Sequence, residues 1–87
     1  MQSVAAKVLS TVNAPYGTSL SAEQLAQKIA DAKSVDRFDA SAFAFYSEVD
    51  RALQEAFLVE MGIDIDTAAL IARKFSKLAG YKLALAA

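Results

Sequence analysis

Asp39 to Met61 reads DASAFAFYSEVDRALQEAFLVEM, and this stretch decides the fold. Ala42, Phe45, Tyr46, Val49, Leu53, Ala56, Phe57 and Met61 recur at helical spacing and form a wide apolar stripe. Asp39 is a suitable N-cap, and Gly62 is a suitable residue just past the last turn. The stretch therefore reads as one helix over 39–61, roughly 33 Å long at about 1.5 Å per residue. Phe43 and Leu58 lie off the stripe, so this helix is apolar on more than one side. Such a helix is either central in its domain or half exposed to a partner.

Three further helices surround it in the sequence. Upstream, Ser21 and Gln24 have the spacing of a capping box, and Leu20 and Leu25 suit the accompanying hydrophobic staple. That predicts a helix over 21–33. Val4, Val8, Leu9 and Val12 predict a short first helix over 3–12, ended by Asn13-Ala14-Pro15-Tyr16-Gly17. The connector between the second and third helices reads as a turn, with Arg37 paired locally to Asp36 or Asp39. Downstream, Asp66 is placed to cap a fourth helix over 66–79, with Ile65 and Leu70 as a second staple. Leu70, Ile71, Phe75, Leu78 and Ala79 are expected inward. Gly80 is expected to break or bend that helix, leaving residues 80–87 as a short apolar tail, either helical or exchanged between subunits. The expected fold is all-α: one domain over 1–87, a compact bundle of about four helices with a long central third helix.

Composition sharpens this. The chain has 87 residues, and 55% of them are hydrophobic. Alanine supplies 19 of these, leaving 29 larger apolar side chains for the core. A domain of this size buries only about 60% of its unfolded surface, so a thin core gains from association.

Charge is nearly balanced, at −1, but unevenly distributed. Residues 39–66 contain seven acids and only Arg51, whereas 67–87 contain Arg73, Lys74, Lys77 and Lys82 and no acid. An acidic middle and a basic tail attract each other, within or between chains. No stretch approaches the roughly 18 apolar residues that span a bilayer, and Ser3, Ser10, Thr11 and Asn13 interrupt any signal-peptide run. The expectation is a cytoplasmic protein without membrane insertion.

The residues available for chemistry are few. There is no cysteine and no histidine, which removes thiolate sites and the commonest general base and metal ligand. Asp64 and Asp66 lack the further oxygen ligands of a calcium loop, since Ala68 and Ala69 stand in the next positions. Ser76 and Lys77 are adjacent and diverge on a helix, so they form no dyad. No phosphate or dinucleotide fingerprint occurs. The reading is not an enzyme, with no catalytic residues, metal, cofactor or small-molecule substrate.

The segment from Leu53 through Gly62 to Leu78 faintly resembles a helix-turn-helix, with Arg73, Lys74 and Lys77 as phosphate contacts. Against it stand Asp64 and Asp66 at the start of the would-be recognition helix, and Ala68 and Ala69 where base-reading side chains belong. Nucleic acid therefore ranks behind a protein partner. The leading expectation is a protein-interaction or structural subunit, forming a homo-oligomer or docking on another protein. The expected contact residues are Tyr16, Phe43, Leu58, Tyr81, Leu83 and Leu85, with Arg73, Lys74 and Lys77 as charged contacts. A small regulator that binds and blocks a host protein, of the kind mobile elements encode, is the alternative.

Overall fold

A computed structural model describes residues 3–86. The described residues form five α-helices: α1 (Val4–Asn13), α2 (Ala22–Asp31), α3 (Ala40–Glu48), α4 (Arg51–Glu60) and α5 (Ile65–Ala86). Single 3-10 turns lie at Ala14–Tyr16 and Val35–Arg37, and there is no strand among these residues.

Side-chain caps start α1, α2 and α3. Ser3 accepts from the Ala6 N–H, and Asp39 from the Ala42 N–H at 2.8 Å. Ser21 and Gln24 form the complete capping box. Leu25 is fully buried, and Leu20 packs against the same core. Asn13, at the end of α1, then holds the loop that follows. Its amide donates to the Leu20 carbonyl and accepts from Thr18 Oγ1 and the Leu20 N–H.

The central stretch differs from the sequence expectation. It is two helices, broken at Val49 and Asp50, which both have extended ψ values of 133° and 141°. In one straight helix Phe45 and Phe57 would stand roughly 18 Å apart along the axis. Their ring centroids are instead 5.6 Å apart. Folding back lets both halves contribute to one core. The break also resets the helical phase, so Leu58 turns inward and is fully buried. Among the predicted contact residues Leu58 is therefore corrected to core. Phe43 is half-buried, edge-on to Phe38 at 6.3 Å and packed against the core.

Helix α3 remains central and packs against all four other helices. Phe38, in the connector before it, stacks on Tyr46 at 5.2 Å and meets Phe75 of α5 edge-on at 5.5 Å. Neither Asp36 nor Asp39 pairs with Arg37. Asp39 binds Lys28 Nζ of α2 at 2.7 Å, and Asp36 lies 3.6 Å from Lys82 Nζ of α5. These bridges tie neighbouring helices rather than the turn. Burial pushes the Asp39 carboxyl upward, but Lys28 and the Ala42 and Ser41 N–H groups outweigh it and hold its pKa below the ordinary 3.8.

Three expectations for the last helix are also corrected. Asp64, not Asp66, is the capping side chain, accepting from the Asp66 and Thr67 N–H groups at 3.2 Å. The helix begins at Ile65, so Asp64 is the residue directly before its first turn, and Gly62 turns the chain ahead of it at φ 95°. Ile65 and Leu70 form no staple and are both exposed. Gly80 does not end the helix, and the segment expected as a tail over 80–87 is helical as far as residue 86. Nothing lies within 4 Å of a Cβ at Gly80. Gly80→Ala is therefore expected to stabilise the protein by about 0.5–1 kcal/mol, read as a raised denaturation midpoint.

Candidate protein-interaction face

Helix α5 buries an unusual face. Its innermost residues are Ala68, Ala72 and Ala79, with Ile71, Phe75 and Leu78 half-buried beside them. Small side chains let α5 lie close against α4 and α3, its main neighbours. Because the alanine line takes the inward position, Leu70 is rotated outward and is 57% exposed, correcting its expected inward placement.

The outer face of α5 then collects several sequence-predicted residues. At about 100° per residue, Leu70, Lys74, Lys77, Tyr81 and Leu85 share one side of the helix. Leu70, Tyr81 and Leu85 are among the most exposed large apolar side chains in the protein, Tyr81 at 64% and Leu85 at 70%. Arg73, Lys74 and Lys77 make no ion pair among the described residues. Lys74 Nζ lies 5.7 Å over its own neighbour's ring, Phe75. Arg73 lies toward α4, in a groove shared with Arg51, Glu55 and Asp66.

The other predicted contact residues are not brought together with these. Tyr16 is exposed in the turn after α1, away from α5 in the sequence. Leu83 is half-exposed on a different side of α5. It borders a groove of about 490 Å³ at the α3–α4 junction with Glu48, Asp50, Gln54, Ser76 and Gly80.

Gln54 is the residue that sequence reasoning missed. It is 1% exposed. Its amide nitrogen donates to the carbonyls of Val49 at 2.8 Å and Tyr46 at 3.3 Å, capping the broken end of α3. Its amide oxygen accepts from Ser76 Oγ of α5 at 2.9 Å. The only signal was a glutamine beside Leu53 where the helix turns inward. Ser76 thus donates to an amide, which cannot take its proton, and the group acts as a structural joint. Burial raises the Tyr46 phenol above its ordinary 10.0, which keeps it neutral beneath Phe38 and Phe75.

A second feature runs beside α2. Two apolar hollows of about 220 Å³ each share Met61. One is walled by Ala5, Ala22, Ala26 and Phe57, the other by Ile29, Leu58, Ile63, Ile71 and Phe75. Leu58 thus forms part of a hollow wall rather than a protruding contact.

No group of three or more His, Cys, Asp or Glu side chains is gathered for a metal among the described residues. Among the described residues no helix is long and apolar enough to cross a membrane. The chain matches no protein-family model, no curated protein and no solved structure.

Proposed function

We propose that this protein is a non-enzymatic protein-interaction module, or a structural subunit, whose docking surface is the outer face of α5. The observation that carries this reading is the exposure of Leu70, Tyr81 and Leu85 on the same side of one helix, among cations with no ion-pair partner in the described fold. Scattered exposed apolar residues are ordinary, but a row aligned along a helix is a surface that gains free energy when covered. Tyrosine at its centre adds a large, stiff contact of the type that dominates interface energies. The regulator reading uses the same face and differs only in what covers it. A nucleic-acid role is disfavoured because the carboxylates of Asp64 and Asp66 crowd the start of α5, where a recognition helix meets phosphates.

Site-specific photo-crosslinking in living cells tests the reading. A photoreactive phenylalanine at Tyr81 is expected to give discrete protein adducts, whether with the same chain or another. The same group at Gln27, exposed on α2, is expected to give none. No protein adduct at Tyr81 would overturn the reading.

A further inference from the structure

We infer that the occupant of this face is a second copy of the chain, with α5 pairing antiparallel to itself about a twofold axis between Lys77 and Leu78. The inference rests on the interaction reading above and adds partner and register. The outer seam of α5 is Leu70, Lys74, Lys77, Tyr81 and Leu85, spaced by four, three, four and four residues, close to the 3.5-residue repeat of a two-helix seam. Leu70, Tyr81 and Leu85 are exposed and Leu78 is half-buried at the seam's edge.

This seam complements itself when reversed. Antiparallel pairing about the 77–78 midpoint sets Leu70 against Leu85 of the second copy, and Lys74 against its Tyr81. Lys77 meets Leu78. Each apolar end therefore covers an apolar end, and each Lys74 ammonium lies where it can sit over a tyrosine ring. A parallel pairing instead stacks Lys74 on Lys74 and leaves both tyrosines without a cation. The twofold arrangement is isologous and closed, so it stops at a dimer.

Charge supports the same register. Glu48 and Asp50, with Arg51 as the one cation beside them, border the groove that contains Gly80 of α5, leaving it one negative charge in excess. In the reversed register Gly80 comes level with residue 75 of the second copy, between its Arg73 and Lys77. A perpendicular twofold keeps each flank of α5 beside the same flank of its mate. The acidic α3–α4 junction of one copy thus flanks the unpaired cations of the other, twice per dimer. The seam covers about 16 residues, roughly 24 Å, which is shorter than a standard interface. The expected dissociation constant is therefore on the order of 10–100 μM.

Sedimentation equilibrium on the intact chain between about 5 μM and 1 mM is the test. The expected result is a shift from 9.3 kDa to twice that mass across the range. Tyr81→Asp and Leu70→Glu, both at exposed positions, are each expected to weaken association at least tenfold with helical circular dichroism unchanged. Register is read with a short bis-maleimide linker on single-cysteine variants, which is direct because the chain has no cysteine. Lys77→Cys is expected to crosslink to itself. Leu70→Cys is expected to crosslink only when mixed with Leu85→Cys, since two copies of residue 70 lie roughly 22 Å apart along the seam. Self-crosslinking by Leu70→Cys overturns the antiparallel register. A strict monomer at 1 mM overturns the inference. If Tyr81 still photo-crosslinks to a different protein in that case, the interaction reading stands without self-association.

Discussion

Phe45→Ala is expected to cost about 3–5 kcal/mol. Phe45 has no exposed surface. Its ring meets Tyr46 edge-on at 4.9 Å and Phe57 at 5.6 Å, so it joins α3 to the helix that folds back across the break. Truncation removes the transfer free energy of the ring and leaves a cavity that rigid neighbours fill only in part. A domain of 87 residues has roughly 4–13 kcal/mol of stability in total. The loss should therefore appear as a fall in melting temperature of more than about 12 °C in thermal denaturation followed by circular dichroism. A loss below about 1.5 kcal/mol would show that Phe45 does not occupy the centre of the core.

Gln54→Leu is expected to destabilise by about 2–4 kcal/mol although it makes the interior more apolar. Leucine matches glutamine in bulk but donates nothing to the carbonyls of Val49 and Tyr46 and accepts nothing from Ser76. The cost is that of leaving buried polar groups without partners, which exceeds the net gain from making such a bond. Ser76→Ala removes a single bond and is expected to cost about 1 kcal/mol. The double variant should be less destabilised than the two losses together, because Ser76 has already lost its partner in Gln54→Leu. Urea denaturation of the four proteins measures the cycle. Strict additivity would mean that Gln54 and Ser76 do not act as one joint.

The residues differ in how openly they declare their roles. Ser21 and Gln24 announce the start of α2, since a capping box is closed by atoms three residues apart. Asp39 does the same for α3. The inward stripe of Phe45, Tyr46, Val49 and Phe57 is also legible, and all four residues are buried. The break between the two halves of that stripe is not. Neither a proline nor a glycine stands at Val49 or Asp50, and the Asp50 side chain makes no capping bond. The helix breaks where Gln54, one turn into the next helix, satisfies the freed carbonyls and where Phe57 and Leu58 gain burial by folding back.

The candidate face follows the same division. Tyr81 and Leu85 were legible as surface residues, because they follow Gly80 beyond the last strongly apolar turn. Their membership of a longer row was hidden by Gly80 itself, a helix-weakening residue that local propensity reads as a stop. Contacts from α3 and α4 hold α5 helical through it, and this continuity places Leu70 and Tyr81 on one side.

By itself, then, the sequence determined helical class, the caps of the early helices, the apolar set that fills the core and the opposed charge of middle and tail. These are local properties, set by residue type and short spacing. Tertiary structure alone decided where the long stripe bends, which apolar residues of α5 face outward, and whether Leu58 is surface or core. Those outcomes depend on burial shared between elements far apart in the chain. The balance between one more helical turn and one more buried ring is settled only once the partners have met.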